Sequence, residues 1–147
     1  METATRREDR VQRSTPPATN AKIEGIMRRR VAAYAELGPE YIERRLQRLE
    51  REWDIERVLE LNAAVAFASG VALGTVVNKR WFALPVAVAF FLGQHALQGW
   101  CPPLTLFRKM GYRTRAEIDK EKHALMAVRG DFVGTTGKPD KSLAALS

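Results

Sequence analysis

The chain contains VLELNAAVAFASGVALGTVV at residues 58–77 and WFALPVAVAFFLGQHALQGW at residues 81–100, separated only by Asn78, Lys79 and Arg80. We call these stretches the first and second spans. Each has about the 20 residues that an α-helix, rising about 1.5 Å per residue, needs to cross a bilayer core of about 30 Å. A connection this short makes the two helices antiparallel. The sequence therefore predicts a transmembrane helical hairpin over residues 58–100.

The rest of the chain is polar and basic. Charged residues make up 28% of the 147 residues, and the net charge is +7. Such a charge suits either nucleic acid or an anionic membrane surface. The basic residues crowd the outer sides of the spans, as in juxtamembrane segments, so the lipid bilayer is the expected partner and nucleic acid is not. These residues are Arg44, Arg45, Arg48, Arg51 and Arg57 before the first span, and Arg108, Lys109, Arg113 and Arg115 after the second.

The same residues predict the orientation of the hairpin. Cytoplasmic flanks collect Lys and Arg, and here the connection holds only Lys79 and Arg80. We therefore expect a multi-pass membrane protein with both termini in the cytoplasm.

The expected fold class is all-α, with amphipathic cytoplasmic or interfacial helices on both sides of the hairpin. Residues 1–20 are predicted to form a disordered tail, and residues 21–57 are predicted to form basic amphipathic helices divided at Gly38 and Pro39. Residues 101–130 form a cytoplasmic or interfacial segment, ending in a helix with Thr114 and Glu117 as its capping box. Residues 131–147 read as a flexible tail. A stripe in the helix before the first span is predicted to pair with another helix or to lie at the lipid interface, and to serve as a surface for self-association or for a larger complex. It consists of Ile42, Leu46, Leu49 and Trp53.

Polar residues gather at one depth of the hairpin when it is folded about Lys79. This intramembrane polar cluster consists of Glu60, Asn62, Gln94, His95 and Gln98. Such residues hold helices together by hydrogen bonds, or they build a proton or ligand site, here on Glu60 and His95. We favour the first interpretation, because one carboxylate and one imidazole make no continuous path across a membrane.

Small residues at four-residue spacing predict close helix packing. They are Ala66, Gly70 and Gly74 on the first span, and Ala89 and Gly93 on the second. Packing within the hairpin and contact between copies of the chain both remain open.

Cys101 is the only cysteine, and folding brings it to nearly the depth of Arg57. A guanidinium near the thiol would lower its pKa and make it reactive; otherwise Cys101 is simply a small apolar residue at a helix end. His95 and Cys101 form no chelating pair, and the chain lacks nucleotide-binding loops and hydrolase elbows. We expect no catalytic residue, no metal, no cofactor and no enzymatic activity.

The two short spans that close in Gly99, Trp100, Cys101, Pro102, Pro103 and Leu104 resemble the YgaP-like inner-membrane transmembrane domain. The resemblance covers about residues 50–112 and implies a self-associating hairpin in the bacterial cytoplasmic (inner) membrane. Some members carry a rhodanese sulfurtransferase domain, which this chain lacks. It also departs from the family by Pro103 and by longer flanks, so sulfur transfer does not carry over.

These observations predict a non-catalytic scaffold or accessory subunit that forms a homo-oligomer or joins a larger membrane-protein complex. The alternative is a thiol-based redox or sulfur-relay membrane protein that uses Cys101. A proton-coupled channel would need several hairpins for each pore, with Glu60 facing the lumen.

Overall fold

The computed structural model of the chain describes residues 10–132. In this part the chain forms helices and no strand, which confirms the all-α class. Besides a helical turn at residues 10–13, the elements in chain order are α1 (Pro17–Leu37), α2 (Pro39–Glu50), α3 (Ile55–Val76), a 3-10 turn (Lys79–Phe82), α4 (Ala83–Gln98), α5 (Pro102–Met110) and α6 (Arg115–Arg129).

The described residues divide into two compact units. The first unit contains residues 10–25 and Trp53–Ile118, and therefore holds both spans. The second unit contains Ile26–Glu52 and residues 119–132.

The first unit is built around the antiparallel pair of α3 and α4. Asp54 caps α3 by accepting a hydrogen bond from the backbone N–H of Arg57 at 2.8 Å. At the other end of α3, the side chain of Asn78 accepts from the N–H of Arg80 at 2.9 Å and shapes the reversal. Gly99 ends α4 in the left-handed conformation, with φ of 74°, which glycine adopts without steric cost. Local capping thus sets the length of both helices.

Two helical stretches within residues 10–132 are long and apolar enough to cross a membrane, Pro39–Val76 and Lys79–Gln98. The apolar part of the first is α3, since α2 is rich in charged residues. Both stretches expose large apolar side chains: Val76 is 84% exposed, Phe90 68% and Leu97 79%. The predicted hairpin is therefore present as two packed apolar helices whose outer faces remain uncovered in the described chain.

The predicted N-terminal tail differs from the structure where the structure describes it. Residues 10–13 are helical, and α1 begins at Pro17 instead of residue 21. Val11 is buried in a cluster with Ile55, Leu59, Cys101 and Leu104. The polar composition of the tail gives no sign of this contact. A single apolar residue, Val11, holds the short turn by packing against a cluster of residues that are distant in the sequence. The predictions for residues 1–9 and 133–147 lie outside the described residues.

The segment predicted after the second span contains a helix, α5, in addition to the predicted helix at its end. Pro102 and Pro103 occupy the first turn of α5, where the missing N–H of proline costs nothing. These prolines therefore begin a helix. Gly111 closes α5 with φ of 98°.

Three other boundaries agree with the sequence. Gly38 separates α1 from α2 with φ of 100°, and Pro39 opens α2. The helix predicted after Thr114, at the end of residues 101–130, is α6. Whether the helices outside the hairpin lie along a membrane surface stays a prediction.

The second unit holds its helices together with ion pairs. The fully buried carboxylate of Glu121 accepts from Nε of Arg45 at 2.9 Å, and Lys122 pairs with Glu50 at 2.5 Å. Three residues of the stripe in α2 are buried: Ile42, Leu46 and Leu49. The chain itself covers these three residues, so they form no contact with lipid or with another protein, whereas pairing with another helix of the chain is compatible with their burial. Trp53, the fourth residue of the stripe, is 42% exposed.

Candidate functional site

Glycines on α3 let the hairpin close. A Cβ added at Gly70 would overlap the Cδ atom of Pro85, and one added at Gly74 would lie 2.9 Å from the ring of Phe82. Both glycines are buried. The sequence left open whether these glycines pack within the hairpin or contact another copy of the chain. The structure shows that both pack within the hairpin.

The small residues of the second span lie elsewhere. Gly93 and Ala89 are exposed, and a Cβ added at Gly93 would meet nothing within 4 Å. Ala66 of the first span is half-buried and lines a cavity between the two helices. The five small residues therefore lie on three different surfaces. Gly70 and Gly74 contact the chain that follows α3, Ala66 lines the cavity, and Ala89 and Gly93 lie on the exposed face of α4.

His95 lies between two cavities of the first unit. One has a volume of about 250 Å³, and Asn62 also lines it. The other has a volume of about 390 Å³, and its lining includes the charged residues Glu60, Glu56 and Arg10. The structure therefore brings three members of the predicted polar cluster, Glu60, Asn62 and His95, to the same end of the hairpin.

The other two members pair within α4. Nε2 of Gln94 donates to Oε1 of Gln98 at 3.4 Å, along the helix and not between helices. Glu60, Asn62 and Gln98 are exposed, while Gln94 and His95 are half-buried. Nδ1 of His95 is buried and has no hydrogen-bond partner among the described residues. That the cluster joins the two helices by hydrogen bonds stays a prediction.

Arg10 caps the C-terminal end of α4. Its Nη1 donates to the carbonyl oxygens of Ala96 and Leu97 at 3.3 and 3.4 Å, which supplies positive charge where the helix dipole is negative. The backbone of Arg10 approaches Gly99 so closely that an added Cβ would lie 2.7 Å from the Cβ of Arg10. Sequence patterns do not predict this contact, because nothing local to residue 10 signals a partner 86 residues away.

The fully buried guanidinium of Arg108 is the centre of a polar network. It forms a bidentate pair with Glu117, with N to O distances of 2.6 and 2.7 Å. Its remaining N–H groups donate to the hydroxyl of Thr15, the side-chain oxygen of Asn20 and the carbonyl of Tyr112. All five donors of the guanidinium are therefore satisfied.

Glu117 also forms the predicted capping box. Its carboxylate accepts from the N–H of Thr114 at 2.9 Å, and its own N–H donates to the hydroxyl of Thr114 at 3.3 Å. Burial alone would raise the pKa of Glu117. The hydrogen bonds from Arg108 and Thr114, together with the charge of Arg108, outweigh burial and hold that pKa below its usual value. Glu117 is thus ionised and locked in the first unit.

Cys101 has surroundings unlike those of a reactive thiol. It is 5% exposed and belongs to the apolar cluster that includes Ile55 and Leu104. Burial raises the pKa of its thiol, against a smaller opposing effect of the N–H of Leu104. Arg57 instead places its guanidinium over the ring of Trp53, 4.4 Å from the centroid. The direction of the pKa shift is opposite to the one that a neighbouring guanidinium would produce.

We expect slow alkylation of Cys101 in the folded protein near neutral pH. A raised pKa leaves less thiolate, and burial limits access of the reagent. The measurement is the rate of modification by N-ethylmaleimide in mild detergent, compared with the rate in denaturant, where the thiol is exposed. Equal rates of labelling in the folded and the unfolded chain would contradict this expectation and support a reactive Cys101.

The comparisons with known proteins give no family for this chain. No protein-family model matches it, and no curated protein and no solved structure matches it either. The resemblance to the YgaP-like domain therefore stays a prediction. What the described residues define is an all-helical protein with two helices long and apolar enough to cross a membrane.

Proposed function

We propose that this chain is a small integral membrane protein of the bacterial cytoplasmic membrane, in which α3 and α4 cross the bilayer. Its role is that of a non-catalytic scaffold or accessory subunit that associates with itself or with a larger membrane complex. The observation that carries the proposal is the uncovered apolar surface of the hairpin. Val65, Val86 and Phe90 are each more than half exposed, although burying such side chains contributes about 1.5 to 3 kcal/mol each.

The dimensions of the hairpin support this location. The 22 residues of α3 give a helix about 33 Å long. The 16 residues of α4 give only about 24 Å, and the four residues of the 3-10 turn add about 8 Å. Both legs therefore approach the thickness of a bilayer core, about 30 Å.

Tryptophans mark the two ends of the hairpin. Trp53 precedes α3 and Trp100 follows α4, whereas Trp81 lies in the reversal with Lys79 and Arg80. All three rings are partly exposed, as expected for an aromatic belt at each membrane surface. The greater number of basic residues outside the hairpin supports cytoplasmic placement of both its ends.

The open face of α4 supports self-association. Gly93 and Ala89 lie four residues apart and are exposed, so a second helix can approach the backbone there. Gly70 and Gly74 are occupied inside the hairpin and do not offer such a face. The association surface is therefore on the second span.

Membrane integration is tested by extracting membranes from expressing cells with alkaline carbonate. The protein is expected to stay in the pellet and to need detergent for release. A cysteine at Lys79 in a Cys101→Ser background is expected to react with an impermeant maleimide from outside intact cells. Protein that stays folded in the supernatant without detergent would refute the proposal.

Self-association is tested with Gly93→Leu, which is expected to reduce cross-linked dimers in lipid vesicles at least tenfold. The matched control is Ala64→Leu, an exposed small residue of α3 outside the proposed face. It should leave the dimers unchanged. Equal cross-linking of the two variants would contradict the placement of the association surface on the second span.

A further inference from the structure

Helix α5 presents its two faces in an order opposite to that of a surface helix in a water-soluble protein. Leu104 and Arg108 lie one turn apart, and both are fully buried. Two residues along an α-helix correspond to a rotation of about 200°, so Leu106 and Met110 lie on the opposite face. These two side chains, which we call the outward face, are 59% and 64% exposed. The helix thus turns its arginine inward and two large apolar side chains outward.

The buried face of α5 fixes this orientation. Leu104 belongs to the apolar cluster that also contains Ile55, and the guanidinium of Arg108 donates to Glu117 at 2.6 and 2.7 Å. A rotation of α5 that buried its outward face would expose Leu104 and separate the buried ion pair. The outward apolar face is therefore a consequence of the way the first unit packs.

The helix lies at the end of the hairpin where α3 begins. Leu104 is in one cluster with Ile55 and Leu59, which belong to the first two turns of α3. Just beyond the end of α5, the carbonyl oxygen of Arg113 accepts from the backbone N–H of Ile55 at 2.8 Å. The partly exposed Trp100 lies between α4 and α5. Where α3 and α4 cross a bilayer this level is the membrane edge, so the inference rests on the membrane location proposed above.

The small size of the outward face favours lipid over a protein partner. The nine residues of α5 give a helix only about 14 Å long. Each partner of a stable protein interface buries about 800 Å², far more than one face of so short a helix can offer. A bilayer that surrounds the spans already lies beside α5 and requires no minimum contact area.

Lys109 supplies a charge that suits the same surface. It is exposed and lies next to Met110, on the side of α5 away from Arg108. A lysine at such a place lays its apolar stem along the hydrocarbon and brings its ammonium group to the lipid phosphates.

We propose that α5 is an interfacial anchor in the cytoplasmic leaflet, with Leu106 and Met110 inserted among the acyl chains and Lys109 at the phosphates. Helices of this kind bury their apolar face about 5 to 10 Å into the boundary between headgroups and acyl chains. The ion pair of Arg108 with Glu117 then has a second consequence besides stability, because it sets which face of α5 meets the lipid.

The test attaches a spin label to one introduced cysteine in the full chain with Cys101→Ala, in vesicles of phosphatidylcholine and phosphatidylglycerol. Oxygen concentrates in hydrocarbon and a nickel chelate stays in water, so the collision rates with the two reagents report the depth of the label. Labels at Leu106→Cys and Met110→Cys are expected to favour oxygen, at a depth of about 5 to 10 Å. The label at His123→Cys, an exposed position of α6, is expected to favour the nickel chelate.

A label at Val65→Cys, exposed in the middle of α3, reports on the hairpin alone and is expected to show the strongest preference for oxygen. If Val65 favoured oxygen while Leu106 and Met110 met the nickel chelate as often as His123 does, the anchor would be refuted and the membrane location would stand. Labels on α5 that neither reagent reaches would also refute it, because protein would then cover the outward face. Nickel access at Val65 would refute the membrane location and the anchor together.

Discussion

Replacing Arg108 with Met is expected to lower the free energy of unfolding by about 3 to 5 kcal/mol, the usual cost of removing one partner of a buried ion pair. The guanidinium is fully buried and donates to Glu117, Thr15, Asn20 and the carbonyl of Tyr112. Its loss leaves the Glu117 carboxylate without its charged partner and removes a donor from three other groups. The measurement is chemical denaturation in detergent micelles, followed by circular dichroism.

Lys109→Met is the matched control. It removes the same charge from the neighbouring residue of α5, which is exposed, and should change the free energy of unfolding by less than about 0.5 kcal/mol. The double variant Arg108→Met with Glu117→Met should lose less than the sum of the two single changes, because no uncompensated charge remains. Equal stabilities of the Arg108→Met and Lys109→Met variants would contradict the network.

The same pair makes stability depend on pH in the acid range. The pKa of Glu117 is lower in the folded than in the unfolded chain. Its ionised form therefore stabilises the fold above the ordinary carboxyl pKa, and this contribution disappears as the pH falls through the folded-state pKa. Between about pH 5 and pH 2, the unmodified chain should lose stability more steeply than Arg108→Met. Parallel pH profiles of the two proteins would show that Glu117 is not the titrating group.

Gly70→Ala is expected to destabilise the hairpin by about 1 to 3 kcal/mol, the usual cost of overpacking a close contact. The added methyl group would overlap Pro85, whose ring cannot move aside because it is part of the backbone of α4. The two helices must therefore separate or shift. The measurement is the midpoint of thermal unfolding in detergent, with the helix content checked before heating.

Gly93→Ala is the control of opposite sign. It makes the same change on α4 where nothing lies within 4 Å of the new carbon. Because alanine favours a helix over glycine by about 1 kcal/mol, this variant should unfold at an equal or higher temperature. If both variants unfolded at a lower temperature by the same amount, a clash specific to Gly70 would not explain the loss, and the contact of Gly70 with Pro85 would be refuted.

Local patterns in the sequence predicted those elements whose signals lie within one or two helical turns. The two apolar stretches, the Gly38 and Pro39 boundary and the capping box of Thr114 and Glu117 all appear in the structure. Each depends on hydrophobic length or on backbone groups only a few residues apart, so no distant contact is needed to form it.

Contacts between distant residues needed the tertiary structure. Arg108 was interpreted from sequence as one of many juxtamembrane charges, and it is instead buried against Glu117 and the hydroxyl of Thr15. Charge and spacing cannot separate a solvated arginine from a buried one, because the difference is whether acceptors from remote segments converge on it. The same reason explains why the stripe of Ile42 and Leu49 was assigned to an external partner although the chain covers it.

The sequence by itself determined that this is a helical chain with two adjacent apolar helices, since hydrophobic length and helix capping are local properties. Only the tertiary structure decided which small residues meet a neighbour, where Cys101 lies, and that His95 borders two cavities. These properties depend on close packing, in which a shift of about one ångström separates a contact from a clash. No pattern along the chain carries that precision.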